Sequence, residues 1–320
     1  MRFPWLVADV GGTNARFALI EEPGAAPGRV RALPTCEYPG LGEAAAAYLD
    51  EAGARPGAAC LAVAGPVSDT TYHLTNAGWA PGSVAGVRDL LGVPYLEILN
   101  DFEALALSLP RLGPGDLRPV GGDALPAADG TAPLAVLGPG TGLGVGGLVP
   151  AAGGWLPLAA EGGHADLPAG TEREIELLRL LHAETGAGGA ELFLSGNGLV
   201  RMRRLLAGLN GVPAEPLTAA EICRMADPLS VETVETFCGL LGSFAGNVAL
   251  TLGARGGVHL GGGILPRIAD ALDRSGFRRR FEGKPPVEGY LRAIPTALIV
   301  HPYPALTGAA ARLAQIAETA

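Results

Sequence analysis

The chain has 320 residues, more than one hydrophobic core usually serves, so its length predicts two domains. Hydrophobic residues make up 48% of the sequence and charged residues 17%, which excludes a disordered protein despite the 49 glycines and 27 prolines. The formal net charge of −9 excludes a general binder of nucleic acid or of anionic membrane surfaces.

The sequence predicts neither a secretion signal nor a membrane span. Residues 136–160 carry no charge, but eight glycines and three prolines in that stretch favour strands and tight loops over a lipid-exposed helix. The four cysteines form no C-x-x-C pair, and we interpret them as buried thiols of a protein in the reducing cytoplasm. They are Cys36, Cys60, Cys223 and Cys238.

The first predicted element is a β-hairpin in LVADVGGTNARFALI, residues 6–20. An apolar strand from Trp5 to Ala8 leads to Asp9, and a glycine turn precedes a second strand from Phe17 to Ile20. The turn residues are Gly11, Gly12, Thr13 and Asn14. Their backbone N–H groups can converge on one point and bind an anion without lysine, although an ordinary hairpin turn is the alternative.

A strand gives way to a helix within YLEILNDFEALALSLP, residues 95–110, and two polar residues mark the junction. Asn100 can cap the helix, with Glu103 completing a capping box. Asp101 stands where the end of a strand would hold a carboxylate rigidly, which suits a catalytic base.

A second hairpin in residues 133–149 repeats the first. Leu134 to Leu137 form its first strand, the turn is Gly140-Thr141-Gly142, and the second strand begins at about Gly144. The turn aligns with Gly12-Thr13-Asn14 at a distance of 128 residues. The repetition predicts two α/β domains of one plan, whose two glycine turns could hold a polyphosphate.

Further polar residues follow in glycine-rich surroundings. Glu161 and His164 stand in AAEGGHADL, and Glu191 follows a helix predicted from about Thr171 to Glu184. Glu161 and His164 could bind a metal, and Glu191 could be a plain surface carboxylate. Taken together with Asn100 and Asp101, however, these hydrogen-bonding groups favour a polyhydroxylated ligand.

A third glycine element is GGVHLGGGILPR, residues 256–267. It predicts a buried strand from Val258 to Leu260 and a helix starting near Pro266. The three glycines between them could admit a ligand to the backbone, although a simple strand-to-helix turn is the alternative. The rival phosphate motifs fail, because the single lysine, Lys284, lies in EGKPP and the G-x-G-x-x-G at Gly142 precedes no helix. We interpret the basic cluster Arg278–Arg280 as a solvated face.

Six motifs resemble, in content and order, those of the bacterial glucokinases of the enterobacterial type, which lack the cysteine-rich zinc motif of the related repressor–kinase group. They are DVGGTNAR at 9–16, ILNDF at 98–102, GPGTGLGV at 138–145, EGGH at 161–164, LSGNGL at 194–199 and GGVHLGGGILPR at 256–267. The resemblance covers nearly the whole chain. It implies two ribonuclease-H-like domains of the actin-like ATPase fold around a cleft, with residues 1–111 plus 301–320 in the small domain and 112–300 in the large one.

The resemblance also implies a function, namely phosphorylation of D-glucose at its 6-hydroxyl by ATP and Mg²⁺ in a cytoplasmic homodimer. Asp101 would be the general base. The residues expected to bind or border glucose are Gly65, Asn76, Asn100, Asp101, Glu161, His164 and Glu191. Those expected around the nucleotide are Asp9, Gly11, Gly12, Thr13, Asn14, Gly138, Gly140, Thr141, Gly142, Gly261, Gly262 and Gly263, with Asp9 as the candidate for magnesium.

Three alternatives remain at this stage. The chain could phosphorylate another hexose on the same fold, and a panel of sugars would distinguish that activity. It could be a non-enzymatic sugar sensor, although the predicted first strand at about Phe3 leaves no room for an N-terminal helix-turn-helix. It could also be a chaperone-type or filament-forming ATPase, which the set of sugar-binding side chains disfavours.

Overall fold

The computed structural model describes residues 1–74, 76–152 and 154–319. The chain forms two compact units. The first comprises Met1–Leu112, Pro150–Ala159 and Pro302–Ala320, and the second comprises Gly113–Val149 and Ala160–His301. Each unit contains its own hydrophobic core.

Strands and helices follow one another in short runs along the chain. The strands are β1 (Trp5–Val10), β2 (Asn14–Ile20), β3 (Gly28–Pro34), β4 (Ala58–Val63), β5 (Thr71–Tyr72), β6 (Gly82–Ser83), β7 (Leu96–Asn100), β8 (Leu117–Pro119), β9 (Leu134–Pro139), β10 (Leu143–Ala151), β11 (Gly154–Leu158), β12 (Gly257–Leu260) and β13 (Thr296–Ile299). The α-helices are α1 (Leu41–Ala52), α2 (Val84–Leu91), α3 (Asp101–Ser108), α4 (Glu172–Thr185), α5 (Gly196–Asn210), α6 (Ala219–Ile222), α7 (Pro228–Leu252), α8 (Ala269–Arg274), α9 (Phe277–Glu282), α10 (Glu288–Arg292) and α11 (Pro304–Thr319).

The main sheet of the first unit has the strand order β3-β2-β1-β4-β7. β1 and β2 form the predicted antiparallel hairpin, and β1, β4 and β7 run parallel. All six residues of β4 are buried, as expected for a central strand that is covered on both faces. The parallel strands end in register, since Val10 pairs with Val63 and Val63 with Asn100.

The other large sheet has six strands in the order β11-β10-β9-β12-β13-β8, and its strands from the second unit repeat this plan. β9 and β10 form the second predicted hairpin, β9, β12 and β13 run parallel, and β8 adds an antiparallel edge. β10-β9-β12-β13 therefore has the same order and directions as β2-β1-β4-β7. The structure confirms that two similar hairpins open two similar α/β units.

One segment groups differently from the domain bounds expected from the sequence. Residues 150–159, which include β11, belong to the first unit rather than continuing the second. The reason is packing, because β11 contacts α3 and the Gln315 side chain of α11 donates a hydrogen bond to the Trp155 carbonyl at 3.2 Å. Nothing in the composition of this segment signals that assignment.

The interpretation of the arginine cluster as a solvated face is wrong for two of its three members. The Arg278 guanidinium donates hydrogen bonds to the carbonyls of Ile294 and Arg292 at 2.8 and 2.9 Å. Arg280 makes a bidentate pair with the buried Glu174, and only Arg279 is exposed. These arginines hold the second unit together because their donors satisfy buried acceptors.

All four cysteines are free thiols. Cys60 and Cys238 are buried as expected, but Cys36 is exposed and Cys223 is partly exposed. The uncharged stretch of residues 136–160 consists of strands and loops, as predicted. Within the described part of the chain, no helix is both long enough and apolar enough to cross a membrane.

His259 lies in the central strand β12, and burial lowers the pKa of its imidazole from 6.5 to about 4. The unfolded chain therefore binds a proton near pH 6.5 that the folded protein accepts only near pH 4. This difference corresponds to about 3 kcal/mol of stability that is present above pH 6.5 and lost as the pH falls toward 4. We expect His259→Leu to flatten the fall in unfolding free energy between pH 6.5 and 4. Equal slopes for both proteins in denaturant titrations would contradict this assignment.

Candidate functional site

The predicted site residues of the first unit lie at one edge of its sheet. Because the ends of β1, β4 and β7 are in register, the loops that follow Val10, Val63 and Asn100 leave the sheet side by side. Ligands of α/β sheets bind at the carboxyl ends of parallel strands. These loops carry Gly11 and Gly65, and Asp101 begins the helix after β7.

Asp9 lies near the end of β1, opposite Arg16 on β2. Its carboxyl is 27% exposed, and the Arg16 guanidinium approaches it at 3.5 Å. Burial raises the pKa of the Asp9 carboxyl, while the charge of Arg16 and its hydrogen bond oppose the shift. In the turn that follows, the Gly11 N–H donates to the Asn14 carbonyl at 3.0 Å.

Gly12 and Asn76 meet although 64 positions separate them in the sequence. A Cβ atom at Gly12 would lie 2.6 Å from the backbone oxygen of Asn76, a distance that only glycine tolerates. The expected sugar neighbour Asn76 is thus in contact with the hairpin expected to bind phosphate. Thr13 joins the same turn to the chain beyond β3, because the Thr35 N–H donates to its carbonyl at 3.0 Å.

Asn100 is the N-cap of α3, and the predicted capping box is confirmed. Its Oδ1 accepts from the Phe102 N–H at 2.8 Å, and the Glu103 side chain accepts from the Asn100 N–H at 3.1 Å. Its Nδ2 donates to the Gly65 carbonyl at 3.1 Å, which ties the loop after β4 to this junction. An amide nitrogen carries a second N–H, so Asn100 keeps a donor for a ligand.

Asp101 is the first residue of α3. Its Oδ1 accepts from the Phe102 N–H at 3.1 Å, which fixes the carboxylate against the start of the helix. The positive end of the helix dipole stabilises a negative charge at this position. Asp101 therefore combines a fixed orientation with a place at the ligand-binding edge of the sheet.

In the second unit, the glycine turn after β9 is closed by a hydrogen bond from the Gly140 N–H to the Gly142 carbonyl at 2.7 Å. Gly138 lies within β9 rather than in the turn and pairs with Gly144. Thr141 is exposed at the tip of this hairpin.

The loop after β12 packs against the same hairpin. The Gly261 N–H donates to the Leu137 carbonyl at 2.7 Å. Gly262 has a φ of +82°, and a Cβ there would lie 2.4 Å from the Pro139 oxygen, so this approach requires glycine. Gly263 follows, with open space around it. The predicted helix near Pro266 begins with a 3₁₀ turn, Leu265–Ile268, before α8.

Glu191 contacts the hairpin of the second unit, which argues against a plain surface carboxylate. Its Oε2 accepts from the Leu143 N–H at 2.8 Å, a contact across 48 positions of sequence. Glu161 precedes a 3₁₀ turn that ends at His164. The two side chains are 71% and 67% exposed, and His164 Nε2 lies 3.9 Å from Glu161 Oε2. Two carboxylates and an imidazole are thus available to hydrogen-bond a ligand.

A cavity of about 630 Å³ lies beside this hairpin, within the second unit. Gly140, Thr141 and Gly263, which the sequence predicted, line it. The sequence predicted no role for the remaining lining residues. They are Gly196, Asn197, Val200, Leu217, Thr218, Ala219, Ile264 and Arg267. The helix start in LSGNGL was the sequence signal for them. In the structure, the Gly196 N–H at the start of α5 donates to the Gly140 carbonyl at 2.9 Å, which brings this helix start to the hairpin.

The donor set at the first hairpin fits a magnesium ion shared with a nucleotide. Mg²⁺ in nucleotide sites is bound by one or two carboxylates and by substrate phosphates, and it keeps several waters. Asp9 supplies one carboxylate there. Among the residues that the structure describes, no group of three or more His, Cys, Asp or Glu side chains could hold a metal without a substrate.

The family model described as Glucokinase matches residues 6–316. The glucokinase of Aromatoleum aromaticum is 47% identical over 317 residues, which cover 97% of this chain and 95% of that protein. The glucokinase of Chromobacterium violaceum is 48% identical over 317 residues, covering 98% of this chain and 90% of that protein.

Solved structures agree with these sequence matches. A glucokinase from an Antarctic psychrotroph superimposes with a TM-score of 0.87 at 38% identity, covering 98% of this chain and 99% of that one. A ROK family glucokinase from Streptomyces griseus, solved with glucose and AMPPNP, gives a TM-score of 0.66 at 22% identity and covers 97% and 99% of the two chains. The fold is therefore the two-domain fold of the actin-like ATPases, as predicted.

Proposed function

The chain belongs to the glucokinase family, and we propose that it transfers the terminal phosphoryl group of ATP to the 6-hydroxyl of D-glucose. The observation that carries this proposal is the placement of Asp101. Its carboxylate is fixed beside an amide, Asn100, at the ligand-binding edge of a sheet whose strand β1 leads into a glycine hairpin that suits phosphate. A base so placed can take the proton of a bound hydroxyl.

The sugar would be held by side chains that accept or donate hydrogen bonds to adjacent hydroxyls. We propose Asn100, Asp101, Glu161, His164 and Glu191 for these contacts, with Gly65 and Asn76 nearby. Support comes from the second N–H of Asn100, the exposed Glu161 and His164, and the contact of Glu191 with the second hairpin. Such a site rejects sugars that lack a hydroxyl, because its polar groups would remain unpaired.

The nucleotide would lie along the glycine turns. We propose that Gly11 to Asn14 and Gly140 to Gly142 flank its phosphates and that Gly261 to Gly263 border the adenosine. The N–H groups of Gly11 and Gly140 are bonded within their turns, so those of Gly12, Thr13, Thr141 and Gly142 would face the phosphates. Asp9 would hold Mg²⁺, which neutralises charge on the phosphate oxygens. Phosphoryl transfer has a loose transition state, so positioning and charge neutralisation would supply most of the acceleration, and proton removal by Asp101 would come late.

A coupled assay of ADP release tests the activity, with ATP, magnesium, a panel of hexoses and a control without sugar. We expect strong turnover with glucose alone. Equal rates for all hexoses would refute glucose as the specific substrate. The reaction class, phosphorylation of a hexose by ATP, would remain. ATP hydrolysis without sugar, or no turnover with any sugar, would contradict the proposed function.

We expect Glu161→Ala and His164→Ala to weaken glucose binding by about 10- to 100-fold, because each removes a hydrogen bond to the sugar from a charged or strongly polar group. Titration calorimetry with glucose measures the effect directly. Glu172→Ala is the control, because Glu172 is an exposed carboxylate in the first turn of α4 outside the proposed site. Unchanged glucose affinity in both site variants would remove these residues from the sugar contacts.

We also propose that the enzyme works in the cytoplasm as a homodimer. The free cysteines suit a reducing compartment, in which thiols persist. Exposed apolar side chains such as Ile175 and Val231, 52% and 54% exposed on α4 and α7, offer surface that a second copy could cover. Sedimentation equilibrium measures the mass, and a monomer at micromolar concentration would refute the dimer.

A further inference from the structure

The cavity beside the second glycine hairpin contains a single charged group. Of the described residues that line it, Arg267 alone carries a charge, and the others are apolar, glycine or neutral polar residues. The chain as a whole has a net charge of −9, so a cavity whose only charge is positive departs from the general surface. This charge distribution complements an anionic ligand.

The backbone holds Arg267 close to the hairpin. The Ile264 N–H donates to the Pro139 carbonyl at 3.3 Å, directly before the turn at Gly140, and the Arg267 N–H donates to the Ile264 carbonyl at 3.0 Å. Leu265 and Ile268 anchor this 3₁₀ turn in the core, with 0% and 3% of their surfaces exposed. The turn is therefore rigid, and Arg267 lies on its exposed side at the cavity.

The guanidinium of Arg267 is available to a ligand. It makes no ion pair with any residue that the structure describes, whereas Arg118 and Arg280 in the same unit are each paired with carboxylates. An arginine fork binds phosphate through parallel charge-assisted hydrogen bonds. No lysine of a G-x-x-x-x-G-K-[ST] motif is present in the chain to supply such a charge.

We propose that Arg267 is a phosphate-binding residue for the donor nucleotide and that its guanidinium donates hydrogen bonds to the phosphate oxygens. It would add a positive charge to the backbone N–H groups of Thr141 and Gly142, which carry only partial charges. The assignment rests on the proposed function only in taking ATP as the donor. Nucleotide binding can be measured without catalysis, so the role of Arg267 and the proposed function can fail separately.

The test compares Arg267→Gln with Arg224→Gln, which removes an exposed arginine outside the lining of the cavity. We expect Arg267→Gln to raise the KM for ATP and the Kd for ADP by about 10- to 100-fold, because a charge-assisted hydrogen bond is lost. The KM for glucose, the melting temperature and the Kd for adenosine, which has no phosphate, should stay within about twofold of wild type, as should all constants of Arg224→Gln. Arg267→Lys should restore part of the affinity for ADP because it keeps the charge.

Two results would overturn the proposal. One is a Kd for ADP in Arg267→Gln equal to that in Arg224→Gln, since Arg267 would then contribute nothing to nucleotide binding. The other is a loss of adenosine affinity as large as the loss of ADP affinity, which would place Arg267 on the nucleoside. If the wild-type protein binds ADP but phosphorylates no sugar, the proposed function fails and the ADP and adenosine titrations still decide the role of Arg267.

Discussion

Asp101→Ala should lower kcat by about 10²- to 10⁴-fold and change glucose affinity only modestly, because general-base catalysis acts on the transition state and not on the bound sugar. The carboxylate stands at the first position of α3, where its Oδ1 also accepts the Phe102 N–H at 3.1 Å. Steady-state kinetics of the purified variant, together with glucose titration, separate the two effects.

Asp101→Asn is the matched control for that experiment. Asparagine keeps an oxygen that can accept the Phe102 N–H, so the start of α3 and the melting temperature should be preserved, while the base is lost. We expect kcat in Asp101→Asn to fall nearly as far as in Asp101→Ala. A variant with asparagine that retained near-full activity would show that Asp101 is not the catalytic base.

Arg280→Met should lower the free energy of unfolding by about 3–5 kcal/mol, because it leaves the buried Glu174 carboxylate without its partner. The Glu174 side chain is 6% exposed, and the pair is bidentate, with N–O distances of 2.7 and 2.8 Å. Glu174 also accepts the Gly170 N–H at 2.7 Å. Chemical denaturation followed by circular dichroism measures the loss.

Two further variants show whether burial causes that loss. Arg179→Met removes an exposed ion pair with Glu176 on the same helix, α4, and should cost far less stability, because solvent screens this pair. Combining Arg280→Met with Glu174→Gln should recover part of the stability, because no buried charge is then left unpaired. Equal losses from Arg280→Met and Arg179→Met would contradict a special role for the buried pair.

The local patterns of the sequence were sufficient for the two hairpins and for the strand-to-helix junction at Asn100. A glycine turn between apolar runs, and an asparagine three residues before a glutamate, act through backbone angles and hydrogen bonds within a few residues. The content and order of six short motifs resembled those of the glucokinases, and that resemblance implied the family and the fold class.

Only the tertiary structure decided which distant segments meet. The contact of Glu191 with Leu143, the approach of Asn76 to Gly12 and the burial of Arg280 against Glu174 each join residues far apart in the chain. The grouping of residues 150–159 with the first unit and the place of Arg267 at a cavity have the same origin. Such contacts depend on how whole helices and sheets pack, so a local pattern identifies candidate residues, whereas packing determines which of them share a site.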